Sequence, residues 1–116
     1  MHDDVFLLLS NFPGADTARK AVRLLVEERL IACGNLISGV ESIYEWKGVI
    51  ETANEVTVIA KTTAARADDA LARLRALHPY ELPEILLVPV TTGWPAYLEW
   101  VAAQCEPGAV KRNPQR

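Results

Sequence analysis

The stretch from Cys33 to Thr63 constrains this chain more than any other, because it is long, carries no helical period and is broken by one tight turn. Ile43, Tyr44, Trp46, Val49 and Ile50 flank Lys47-Gly48, and Glu55-Val56-Thr57-Val58-Ile59 continues as a strand. Lys-Gly between two β-prone runs is a hairpin signal, with Gly48 supplying the positive φ that a primed turn needs. At about 3.3 Å per residue, an arm of roughly fourteen residues extends some 45 Å, against about 20 Å for an ordinary strand. The core of a 116-residue chain does not cover that length. A bulge near Ser38-Gly39 would fold the arm back on its own sheet. Pairing with neighbouring subunits instead satisfies both the free edges and the large side chains of Tyr44 and Trp46. Tyr44, Trp46 and Gly48 are therefore assigned to a subunit interface.

The rest of the chain supplies a small domain around this hairpin. Val5 to Ser10 is a short apolar run that reads as a buried strand, ended by the turn-forming Asn11-Phe12-Pro13-Gly14. A helix is predicted from about Asp16 to Arg29, with Ala18, Val22, Leu25 and Val26 on one face. A second helix runs from about Ala65 to Leu77, lined by Ala67, Ala70, Leu71, Leu74 and Leu77, with Asp69 and Arg73 spaced for an i,i+4 ion pair. Glu84 to Val90 reads as a fourth strand, with Pro89 limiting pairing near its end. Pro95 fits a first helical position, and Leu98, Val101, Ala102 and Cys105 form an apolar stripe beyond it. The order β-α-β-β-α-β plus a C-terminal helix is the α+β, ferredoxin-like split βαβ pattern. One domain is expected over residues 1–106, followed by a polar, disordered tail over 107–116.

Charge narrows the partners. A net charge of −3 argues against nucleic acid, which wants a basic face, and gives no support for an anionic membrane. Met1-His2-Asp3-Asp4 is acidic where a secretory leader is basic, and the apolar run after it is too short to span a bilayer. Two cysteines are too few for a disulfide framework and fit a reducing, cytoplasmic setting.

Several residues carry potential chemistry. His78 opens the rigid segment His78-Pro79-Tyr80-Glu81-Leu82-Pro83-Glu84. It is either a metal ligand or proton carrier, or a helix C-terminal cap bonded to the last carbonyls. Cys33 reads as a small buried hydrophobe and Cys105, on the apolar stripe of the last helix, as core or interface, and His2 lies too near a terminus to serve. Glu81 and Glu84 flank Pro83 as paired carboxylates for a hard cation or as solvated charge. Lys61 is placed to meet an anion or to pair with Glu55 across a subunit boundary. No CxxC, HxxxH, P-loop or G-x-S-x-G element is present, so nothing assembles a catalytic constellation, and a closed zinc site would have to be shared between subunits.

Ala32-Cys33-Gly34-Asn35-Leu36-Ile37, Gly39 through Gly48, Glu55 through Thr62, the His78–Glu84 segment and Tyr97-Leu98-Glu99-Trp100 together resemble the CutA divalent-cation tolerance proteins. The resemblance spans nearly the whole chain up to the tail. It implies a ferredoxin-like homotrimer with interlocked hairpins, similar in build to PII-like signalling proteins. It also implies a non-enzymatic, cytoplasmic role in tolerance of copper and other divalent metals. The copper site that the family implies draws on a Cys after the first strand and two adjacent His before Pro-Tyr. The matching positions here are Ser10, Leu77 and His78, so only His78 carries over. Loss of a soft thiolate and one imidazole removes most of what selects copper, leaving weak binding of copper or zinc helped by Glu81. The alternative is a PII-like regulatory module that takes a small anion or nucleotide in inter-subunit clefts, with Lys61, Glu55, Tyr80 and Glu84 as cleft residues.

Overall fold

The computed structural model describes residues 4–108. The expectations for His2 and for the tail beyond Gly108 concern residues outside this range. The elements run β1 (Val5–Phe12), α1 (Ala15–Glu27), β2 (Cys33–Trp46), β3 (Val49–Thr63), α2 (Ala64–Leu77), β4 (Ile85–Pro89) and α3 (Pro95–Gln104). The strands form one antiparallel sheet in the order β2-β3-β1-β4. This is the expected ferredoxin-like α+β architecture with an added C-terminal helix.

The core lies between the sheet and the two long helices. Leu8, Phe12, Val58 and Ala60 project from the strands against Ala18, Ala21, Val22 and Leu25 of α1 and Ala70 and Leu74 of α2. β1 continues past Ser10, because Asn11 and Phe12 pair with Thr57 and Val56 and the Phe12 side chain is wholly buried. Burial of that ring outweighs the local turn preference of Asn-Phe-Pro-Gly. α3 begins with Pro95 at its first turn and seals a second cluster, Val5, Ala32, Val101 and Cys105.

Three local details differ from the sequence expectations. α1 starts one residue early, behind an N-cap at Gly14, and gives way before Arg29, whose φ of 60° is left-handed. α2 likewise begins at Ala64. Arg73 does not turn to Asp69; its guanidinium grips the Glu28 carboxylate at 2.8 and 2.9 Å in a bidentate fork. That pair ties α2 to the end of α1 and holds the Glu28 carboxyl below its usual range.

The hairpin is as long as its sequence demands. β2 has 14 residues and β3 has 15, and the molecule measures 48 Å in its longest direction. Lys47 and Gly48 both take left-handed φ, 50° and 82°, the signature of a type I′ turn. The Lys47 ammonium lies 6.0 Å from the Trp46 ring centre, a cation–π contact at the tip.

A bulge does occur at Ser38-Gly39, with Gly39 at φ 76°. Ile37 pairs with Thr57 and Val40 with Glu55, so β2 advances three residues while β3 advances two. The extra residue reverses which side chains of β2 share a face with which of β3. Beyond it Ser42, Tyr44 and Trp46 stand opposite Ala53, Glu51 and Val49. The bulge does not fold the arm back on the sheet. Ile43 is 65%, Ile50 67% and Trp46 48% exposed in the single chain.

Candidate functional site

The segment between α2 and β4 is held against β1 by two hydrogen bonds and braced by a third within itself. Pro79 disfavours helical backbone at the preceding residue, so α2 stops and His78 turns extended, at φ −77° and ψ 134°. Its ring enters the fold, stacks on Phe12 with centroids 4.2 Å apart, and is only 7% exposed. His78 Nε2 lies 2.8 Å from the Asn11 carbonyl oxygen, and the Tyr80 backbone N–H meets Nδ1 at 3.1 Å. A backbone N–H only donates and a carbonyl only accepts. The imidazole is thereby assigned as the neutral tautomer with its proton on Nε2. Burial pushes the His78 pKa down, opposed by the bond to Asn11. Ser10, fully buried, donates from Oγ to the Glu84 carbonyl at 2.7 Å.

Beside this segment opens a groove of about 1090 Å³ between the connector and the distal hairpin. Tyr44, Trp46, Glu51 and Glu55 line it from the hairpin, and Tyr80, Glu81 and Glu84 from the connector. Tyr80 Oη donates to Glu55 Oε2 at 2.9 Å, bridging the two walls. Burial, followed by that carboxylate bond, pushes the Tyr80 pKa up to about 12. Four glutamates against Lys47 make the lining anionic.

The structure brings together Glu55, Tyr80, Glu81 and Glu84 of the expected cleft, with Tyr44 and Trp46 of the expected interface. Gly48 sits just beyond, in the turn. Lys61 is elsewhere: it faces Cys33 across the β2–β3 ladder and bonds the Asn35 side chain. Glu55 is six positions back along the same strand, bonded to Tyr80, so the two do not meet within one chain. The Cys33 thiol lies 3.4 Å from the Tyr97 hydroxyl, while Cys105 is buried. Asn11 carries no motif, yet it receives His78 on its carbonyl and Thr57 Oγ1 on its side chain at 2.6 Å. Its neighbours Phe12-Pro13-Gly14 read as turn, so the sequence gives it no functional signal.

Among the described residues no three His, Cys, Asp or Glu side chains converge as a metal cluster. At the positions matching the family's copper ligands stand a bonded hydroxyl, an aliphatic side chain and an imidazole with both nitrogens engaged. That donor set does not fit copper.

A four-stranded antiparallel sheet, two helices on one face, an overlong hairpin and a third helix define a ferredoxin-like α+β protein with a protruding arm. The pattern described as CutA1 divalent ion tolerance protein matches residues 6–104, and the chain belongs to this family. It is 44% identical over 89 residues to mouse Protein CutA, covering 77% of this chain and 50% of that one. It is 39% identical over 95 residues to the Divalent-cation tolerance protein CutA of Thermus thermophilus, covering 82% and 92%. The chain thus spans about half the mouse relative and nearly all of the bacterial one. The crystal structure of CutA from Xylella fastidiosa superposes with a TM-score of 0.87 at 43% identity, covering 89% of this chain and 99% of that one.

Proposed function

We propose that this chain is a non-enzymatic, cytoplasmic homotrimer of the divalent-cation tolerance family that holds divalent metal weakly through oxygen donors. The observation that carries the reading is the groove, which Glu51, Glu55, Glu81 and Glu84 line without converging on one point, beside an arm that its own domain leaves bare. Carboxylates favour hard divalent cations, and a set with no thiolate and no free imidazole gives low selectivity. The arm supports the assembly: a second and third copy would cover Tyr44 and Trp46 and close the groove. Family membership supports the tolerance role. Neither cysteine is in a disulfide, which fits a reducing compartment, and no helix among the described residues is long and apolar enough to cross a membrane.

Calorimetric titration of zinc, copper and manganese into untagged protein tests the metal reading. Weak heats that shrink at least severalfold in the double variant Glu81→Gln, Glu84→Gln are expected; no heat with any of the three removes it. Light scattering tests the assembly, with an expected mass three times that of the 12.8 kDa chain. A regulatory module for a small anion or nucleotide draws little support, because the groove has the wrong sign and Lys61 is bonded outside it.

A further inference from the structure

We infer that Ser10, Asn11 and His78 form a structural clasp that positions the groove wall and withholds the imidazole from any cation bound there. This builds on the proposed carboxylate site and assigns His78 as a positioning residue that shapes its selectivity. Three bonds fasten the connector to β1 and to itself: Ser10 Oγ to the Glu84 carbonyl, His78 Nε2 to the Asn11 carbonyl, and the Tyr80 N–H to His78 Nδ1. They grip both ends of the connector, at residues 78–80 and at Glu84. Between the grips, Arg75 Nη2 donates to the Glu81 carbonyl at 3.1 Å.

The clasp has a chemical consequence. A metal binds imidazole through an unprotonated ring nitrogen, and the lone pair on Nδ1 already accepts from Tyr80. Binding at Nε2 would require loss of its proton and of the Asn11 bond from a ring packed flat on Phe12. The Tyr80 amide, fixed by Nδ1, also sets the start of the side chain that reaches Glu55. His78 therefore acts on the groove through Tyr80. A cation there meets carboxylates and water, so selection shifts from copper toward harder ions.

The test uses the full chain with His2→Ala, which leaves His78 as the one imidazole. Long-range proton–nitrogen NMR reads the tautomer directly. The expected result is a neutral ring protonated at Nε2, with both nitrogen shifts unmoved by excess zinc. A ring protonated at Nδ1, or nitrogen shifts that follow zinc, overturns the clasp. If zinc does not bind at all, the carboxylate reading fails while the tautomer still decides this one.

A second arm compares His78→Asn with His78→Ala in the same background. The Asn side-chain carbonyl accepts from the N–H two residues on, as in an Asx-turn, and so replaces Nδ1. The Tyr80 backbone N–H should stay protected from hydrogen exchange in the Asn variant and lose protection in the Ala variant. Zinc affinity should remain within about twofold in the Asn variant. A tenfold loss there, or a Tyr80 N–H equally protected in both variants, overturns the proposal.

Discussion

Strand β3 crosses two environments, and the contrast between them explains most of the molecule. From Val56 to Thr62 every second side chain is sealed beneath the helices: Val56, Val58, Ala60 and Thr62 are all buried. From Val49 to Glu55 not one residue is buried, although Val49 and Ile50 are as apolar as those that follow. The same strand chemistry is thus satisfied within the chain at one end and left unsatisfied at the other. The proximal half makes the domain, and the distal half is available for association. Apolar content alone does not separate the two. What separates them is where α1 and α2 end.

The comparison can be tested from both sides. Truncating Phe12→Ala in the proximal core removes a fully buried ring and its stack on His78, and should cost about 3–5 kcal/mol. Urea denaturation should report that loss with the oligomeric state unchanged at micromolar concentration. Trp46→Asp, at the bare end, should act the other way. It is expected to leave the fold intact and weaken each contact of the proposed trimer by about 2 kcal/mol, roughly thirtyfold, read as a fall in mass by light scattering. A variant that stays wholly trimeric at micromolar concentration would remove Trp46 from the interface. Gly48→Ala places a side chain at φ 82° and should cost about 1 kcal/mol, through the tip of the hairpin alone.

The smallest effect is expected from pH. Because burial lowers the folded pKa of His78, the unfolded chain takes up its proton first. Stability from the neutral ring is then complete above the ordinary value of 6.5 and is lost as pH falls below it. Denaturation midpoints measured at pH 7.5 and pH 5.5 should separate in wild type and draw closer in His78→Asn. Equal separation in both would locate the acid sensitivity elsewhere.

Much of the fold is legible in the sequence. Lys47-Gly48 announces the turn, Pro95 the start of α3, and the spacing of Ala67, Ala70 and Leu74 the buried face of α2. These signals are local, written in backbone preference and periodicity. The misreadings arise where distant groups compete with local ones. Arg73 has Asp69 one turn away but reaches Glu28, which α1 delivers to it with both carboxylate oxygens in line. Phe12 sits in a turn-like tetrapeptide yet extends β1, because the core takes its ring.

The candidate site is less legible for the same reason. His78 stands out by its place before Pro79, and both readings offered for it, ligand or helix cap, use nearby chain. The structure gives it Asn11, 67 residues away, and no local pattern encodes that pairing. The carboxylates are easier to see, since Glu81 and Glu84 mark their own segment. That they share a groove with Glu55 depends on how the hairpin and the connector fold beside each other, which neither segment encodes alone.

The bulge at Ser38-Gly39 bears on how such an arm can change over evolutionary time. Loss of a single codon there would leave every residue of the distal arm in place and the turn at its tip unaltered. Tyr44 would still stand opposite Glu51 and Trp46 opposite Val49, but the ladder of β2 and β3 would run without its one irregular step. A bulge bends its strand and sharpens the local twist, so substitutions edit the surface of the arm one position at a time, whereas a one-residue deletion re-aims the whole arm in a single event. Length at that point of β2 is therefore expected to be under tighter selection than the identity of the residues that occupy it.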